Sequence, residues 1–256
     1  MQELIPRKIH YCWFGRAKHP ALFEQCFLSW KNFSPGFELV EWNESNCDIH
    51  ECRYVEDAYK LEKWAFVSDY FRMKILYEQG GIYLDCDMEL TADIISLLDN
   101  RVFFAFEKNM IGGSIIGTIA GLPLFQEILE SYKKSSFVTT PSAPPTIVER
   151  LTDVLIRRYG LQDVFSEQNL QDGIRIYPSD ILMINLHNGR NIAFHHYAGS
   201  WTSGFNRNKF LLELSYYSHI TSAPLKFRIY ESFKRFLQFR YHFIYRLIKK
   251  ITAAFR

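Results

Sequence analysis

The sequence predicts an α/β protein, with a mixed sheet flanked by helices and a basic amphipathic helical tail at the end. Three observations predict it. The chain opens with a strand, a helix and a second strand, the pattern of parallel pairing. A long apolar helix then runs straight into the short strand of Gly80-Gly81-Ile82-Tyr83-Leu84-Asp85-Cys86-Asp87. Charge is also divided unevenly. Residues 225–256 hold nine Lys/Arg and one acid, Glu231, for a charge of +8, whereas residues 1–224 hold 21 basic against 27 acidic residues, for −6. This division places a folded body at 1–224 and a tail at 225–256.

Each element has its own signal. Residues 8–15 read as a buried strand ending in a glycine turn. Residues 19–30 have helical spacing, Asn32-Phe33-Ser34-Pro35-Gly36 breaks it, and residues 37–42 are a second strand. A polar, acidic segment covers 43–57. The helix over 61–79 is apolar nearly all round, so it is a buried helix, and Gly80 ends it as a left-handed cap. Its polar residues Ser68, Asp69 and Arg72 therefore stand out, with Asp69 and Arg72 as i, i+3 neighbours. Beyond the aspartates, residues 91–98 read as a short helix, and 102–107 and 114–118 as strands. Residues 122–134 and 146–159 are helices around a Ser/Thr/Pro loop. Residues 174–178 and 191–197 are strands, and a Gly/Ser loop follows them.

Length and composition narrow the class. A chain of 256 residues, 48% hydrophobic and 16% aromatic, builds one large domain with an appendage. Residues 1–6 lack a basic start and an apolar run, and no stretch reaches the roughly 20 apolar residues of a membrane span. The five cysteines, Cys12, Cys26, Cys47, Cys52 and Cys86, are odd in number and scattered. They read as reduced cytosolic thiols, mostly buried. Cys86 should point away from its two aspartate neighbours, into the fold.

Asp85 and Asp87 carry the chemistry. Side chains at i and i+2 of a strand share a side, and ligands of open α/β sheets sit outside the carboxyl ends of strands. Two like charges held together call for a cation, and a hard divalent ion bound by carboxylates usually also holds substrate phosphates. A lone Asp-x-Asp is otherwise a solvated turn.

Three blocks extend this reading: Ile5-Pro6-Arg7-Lys8-Ile9-His10-Tyr11-Cys12-Trp13-Phe14-Gly15, residues 65–89, and His195-His196-Tyr197-Ala198-Gly199-Ser200-Trp201. Together they resemble glycosyltransferase family 32. The resemblance implies a GT-A fold over 1–224, a nucleotide-sugar donor, a divalent metal and transfer with retention. It implies that Trp13 stacks on the base, with a place in the core as the alternative. Asp69 and Arg72 would meet the donor sugar, ribose or phosphates, or else form an ion pair internal to the helix. Tyr83 would touch ribose or sugar, or be core. Asp85 would reach the metal indirectly or hold sugar hydroxyls, and Asp87 would be the direct ligand. His195 and His196 should face opposite sides of their strand. The five-residue spacing from His196 to Trp201 matches the relatives' pattern and favours His196 as the further ligand. An imidazole favours Mn²⁺ over Mg²⁺. Ser200 and Trp201 would close over the diphosphate.

These readings converge on a UDP-hexose transferase working on a glycan, expected to be a lipid-linked oligosaccharide of a bacterial surface polysaccharide. The tail has the spacing of an interfacial helix, which would hold the enzyme on the cytoplasmic face of a membrane. A helix packed on the body and an oligomer contact are its alternatives. No nucleic-acid motif is present. A dehalogenase-type phosphatase would want Thr or Val where Glu89 stands. A toxin-like protein glycosyltransferase shares the same chemistry, and a silent binding module is disfavoured by the intact Asp85, Asp87, Arg72 and His196.

Overall fold

A computed structural model describes residues 4–137, 144–162, 164, 166–186 and 189–198. The first half comprises β1 (Lys8–Cys12), α1 (Ala21–Phe33), β2 (Glu38–Trp42), α2 (Arg53–Lys60), α3 (Trp64–Gln79), β3 (Gly81–Leu84) and β4 (Met88–Leu90). Then come β5 (Val102–Glu107), β6 (Met110–Ile111), β7 (Ile115–Thr118), α4 (Pro123–Lys133), α5 (Ile147–Tyr159), β8 (Gln168–Asn169), β9 (Ile174–Tyr177), α6 (Ser179–Leu182) and β10 (Ala193–His195). The main sheet runs β2-β1-β3-β7-β5-β9-β8, with β6 added beside β5. Pairing is parallel at β1–β2, β1–β3 and β5–β9 and antiparallel at β3–β7 and β5–β7, so the sheet is mixed as the sequence predicts.

The buried helix is α3. It buries Val67, Tyr70, Phe71, Met73, Ile75 and Leu76, together with the charged pair Asp69 and Arg72, and it packs on β1, β3 and α4. Each of these apolar side chains contributes on the order of 1.5–3 kcal/mol through burial. Gly80 has φ 63° and ψ −163°, so it is not the left-handed helical cap that the sequence suggests. It is an extended turn at positive φ, a conformation open essentially to glycine alone. Gly81 follows at φ 100°, and a Cβ there would lie 2.9 Å from His10 Nε2. The pair turns the chain directly from α3 into β3.

Three expectations are corrected. Residues 91–98 hold only a 3₁₀ turn at Ile95–Leu97. The acidic segment contains α2, whose eight residues bury Tyr54, Val55 and Ala58. The strand carrying the aspartates stops at Leu84, and Asp85 to Asp87 form a turn closed by Met88 N–H donating to Asp85 O at 2.9 Å.

That turn launches β4, which pairs antiparallel with β10 in a separate two-stranded ribbon. Helix α1 anchors the ribbon: Trp30 Nε1 donates to Met88 O at 2.8 Å, and Leu90 N–H donates to Ser29 Oγ at 2.9 Å.

His10 braces the entrance to β3. Trp42 Nε1–H donates to His10 Nδ1 at 3.1 Å, and Trp has no acceptor, so Nδ1 carries no proton. Nε2–H then donates to Gly80 O at 2.9 Å. The bond accepted from Trp42 requires a neutral ring. Burial, with a smaller push from Lys8, lowers its pKa to about 4. The unfolded chain therefore binds the proton more tightly, and this stabilisation is complete above about pH 6.5 and fades as pH falls through about 4. The shift is equivalent to on the order of 3 kcal/mol. The urea midpoint of His10→Gln should change less than that of the parent between pH 7.5 and pH 4.5; parallel losses in both would contradict the assignment.

Candidate active site

The site lies where β1, β2 and β3 end. It has two joined parts. The first is built on Arg72, whose side chain is only 5% exposed. Its Nη2 pairs with Asp69 Oδ1 at 3.0 Å, one turn back on α3. Its Nη1 reaches Asp85 Oδ1 at 3.2 Å and donates to Gly113 O at 2.6 Å. Its Nε donates to Ser68 O at 3.3 Å, and the guanidinium lies 4.6 Å from the centre of the Tyr83 ring. Tyr83 O–H in turn donates to Asp85 Oδ1 at 3.0 Å. Burial pushes Asp69 up to about 6 against the pull of Arg72, so at neutral pH it remains largely ionised.

The second part is built on Asp87. His195 Nε2 lies 2.8 Å from its Oδ1, and Ala198 N–H donates to its Oδ2 at 2.9 Å. Burial alone would raise the Asp87 pKa, but His195 and the amide overcome it and bring it down to about 2. Burial opposes charge on His195 as well, yet Asp87 lifts it to about 9. His195 Nδ1 is buried with no hydrogen-bond partner among the described residues. One ligand atom each from Asp85, Asp87 and His195 lies within 4.8 Å of the others.

The histidine at the acidic pair is thus His195, which corrects the expectation for His196. The cause is ribbon register. His195 pairs with Met88, a fully buried residue, and so faces inward. Phe194 pairs with Glu89, and His196 shares that other face, where its Nε2 meets Glu89 Oε2 at 2.7 Å. Asp85 and Asp87 come together through a turn rather than by strand alternation. Cys86 points away as expected, with its Sγ donating to Cys12 O at 3.3 Å.

Trp13 is half-buried and lines a cleft of about 540 Å³ with Arg16, Lys18, His19, Glu41 and Asn43. Its indole N–H donates to Ala17 O at 2.7 Å, and its backbone N–H donates to Trp42 O at 2.9 Å, at the end of the neighbouring strand. Asp85 and Asp87 are not in the cleft lining. Ser200, Trp201, Gly199 and the tail lie outside the described residues.

Sequence reasoning missed Glu107, at the end of β5. Burial raises its pKa, and it feels the charges of His195, Asp85 and Asp87. No spacing pattern marks it, since only the β5–β7–β3 pairing carries it to the centre.

Residues 20–104 match the family described as "Glycosyltransferase sugar-binding region containing DXD motif", and Asp85-Cys86-Asp87 is that motif. Over that stretch, about a third of its length, the chain is similar to the DXD glycosyltransferases. A glycosyltransferase of Acanthamoeba polyphaga mimivirus, L373, is 25% identical over 209 residues, covering 75% of this chain and 78% of that protein. "Subversion of eukaryotic traffic protein A" of Legionella pneumophila is 28% identical over 115 residues, 34% of this chain. The aligned region is only 18% of the Legionella protein. Among solved structures, the PaToxG glycosyltransferase superposes with a TM-score of 0.50 at 17% identity, over 60% of this chain and 69% of that one. The likeness is one of fold: the chain has the mixed α/β GT-A architecture.

Removing one partner of a buried charge cluster strands the others. Arg72→Met should cost about 3–5 kcal/mol in urea unfolding. A loss below about 1 kcal/mol would mean that the cluster is solvated.

Proposed function

We propose that this chain is a glycosyltransferase that moves a hexose from a UDP-sugar to a glycan acceptor, with retention and with a divalent cation, Mn²⁺ or Mg²⁺. The observation that carries the reading is the meeting of Asp85, Asp87 and His195 at the carboxyl ends of the strands, with ligand atoms within 4.8 Å. Two carboxylates and an imidazole suit Mn²⁺. When bound, the ion supplies charge neutralisation on the departing diphosphate.

The chain's own residues do the rest. Asp87 and His195 would hold the ion, and Asp85 would receive donor hydroxyls. Arg72, nearly all of whose donors are used inside the protein, holds the Asp85 carboxylate in place as a positioning residue. Asp69 keeps the guanidinium aligned, and Tyr83 fixes one Asp85 oxygen. Trp13 offers its ring to the uracil base in the cleft. Ser200 and Trp201 close over the diphosphate and exclude water, which protects the donor from hydrolysis. The acceptor hydroxyl attacks from the face that the diphosphate leaves, and the leaving phosphate takes its proton.

The acceptor we propose is a lipid-linked oligosaccharide at the cytoplasmic face of a membrane. The composition of residues 225–256 supports this, because each cation near an anionic surface adds on the order of 1 kcal/mol. Among the described residues no helix is long and apolar enough to span a membrane.

UDP release from a panel of UDP-sugars with Mn²⁺ tests the donor reading. Asp87→Asn should lose about a hundredfold or more. His195→Ala should raise the Mn²⁺ concentration for half-activation about tenfold, and His196→Ala should leave it in place. Asp87→Asn matching the parent would reject the metal site. For the tail, a chain ending at Pro224 should no longer sediment with anionic vesicles yet should retain donor hydrolysis. Undiminished sedimentation would reject the membrane role.

A further inference from the structure

We infer that Cys26, Glu89 and His196 form a second cation site, separate from the Asp85/Asp87/His195 centre and suited to Zn²⁺. Cys26 comes from α1, Glu89 from β4, and His196 from the residue after β10. One ligand atom from each lies within 4.8 Å of the other two. The thiol is fully buried and forms the floor, while the Glu89 and His196 side chains are 21% and 18% exposed, leaving an approach from solvent.

Geometry favours closure on an ion. Tetrahedral zinc, with bonds of about 2.0–2.3 Å, sets its ligand atoms about 3.3–3.8 Å apart. His196 Nε2 and Glu89 Oε2 stand at 2.7 Å, so they need only open slightly and the thiol close slightly. Gln25 Nε2 donates to the same Glu89 oxygen at 2.8 Å, which steadies that carboxylate. The backbones are already fixed to one another, because Trp30 and Ser29 of α1 bond to Met88 and Leu90 on either side of Glu89.

Donor chemistry separates the two sites. Thiolate, imidazole and carboxylate make the borderline-soft set that zinc takes, whereas the richer oxygen set at Asp85 and Asp87 suits Mn²⁺ or Mg²⁺. Burial, with the charges of Glu89 and Asp87, keeps the Cys26 thiol protonated, with its pKa pushed up to about 12. The same negative charges favour a dication, and zinc entry replaces the thiol proton, which leaves to solvent. Three protein ligands leave a fourth position for water.

The test is a Co²⁺ titration of the metal-free, full-length protein. A thiolate-to-cobalt absorption band in the near ultraviolet is expected in the parent, in Asp87→Asn and in Cys86→Ser. It should vanish in Cys26→Ser. Glu89→Gln, altered at a partly exposed side chain, should bind Co²⁺ at least tenfold more weakly, and Zn²⁺ should displace the cobalt and abolish the band. No band in the parent, a band that survives Cys26→Ser, or an unchanged affinity in Glu89→Gln would each overturn the inference. Loss of the band in Asp87→Asn would show one shared site and overturn it as well. None of these outcomes depends on donor turnover, so failure of the proposed activity and failure of this site are distinguishable.

Discussion

One buried guanidinium organises the centre. Asp69 and Asp85 would repel each other and resist burial if Arg72 did not stand between them, and Gly113 O adds a third acceptor to the same cation. Arginine suits this place because its planar fork serves several acceptors in fixed directions, which an ammonium cannot do. The constraint reaches back into the fold. A helix that is apolar on nearly every side must be enclosed, and enclosure desolvates whatever charge it carries. The Gly80–Gly81 turn then reverses the chain so tightly that Asp85 comes back beside Arg72, only 13 residues later. Packing, turn and electrostatics thus specify the same carboxylate position, which is the consistency expected of a site that must be preorganised.

The ribbon of β4 and β10 sets the second constraint. A strand has a side-chain period of two, so a one-residue slip would carry His195 to the outer face and His196 to the inner one. Register is held from both directions. Met88, opposite His195, is fully buried, and α1 grips β4 through Trp30 and Ser29. The amide of His196 adds a bond to Asp87 O at 2.9 Å. Two adjacent histidines consequently meet two different carboxylates, Asp87 within and Glu89 without.

Much of this was legible from residue patterns, and what was not has physical reasons. Apolar runs marked β1, β2, β5, β7 and β9, and the spacing marked α1, α3, α4 and α5, because these elements bury a face of their own. Thr146 and Glu149 even carry the reciprocal bonds of a capping box at the start of α5. The acidic pair and the Asp69–Arg72 pair were legible because each lies within a single short segment, whereas the bond from Arg72 to Asp85 joins two segments and was not. The choice between His195 and His196 was not. Spacing to Trp201 is a property of one segment, whereas facing is decided by pairing with β4, a three-residue strand with too little pattern to see. Glu107 was invisible for the same reason, since its neighbours come from other strands. The turn that joins Asp85 to Asp87 looks like the end of a strand to any period-two reading.

Charge balance gives the centre its bias. Asp69, Asp85, Asp87 and Glu107 face one another's fields, with Arg72 and His195 as the cations set among them. Arg72 is committed to Asp69 and Asp85. That leaves Asp87 and Glu107 to a histidine, and the result is visible in opposite shifts: Asp87 is pulled down and His195 pushed up, while burial drives Glu107 toward its neutral form. A surplus of carboxylate held out of water is costly unless positive charge joins it. On the proposed function, a dication between Asp85 and Asp87, taking the place of the His195 proton, would supply that positive charge.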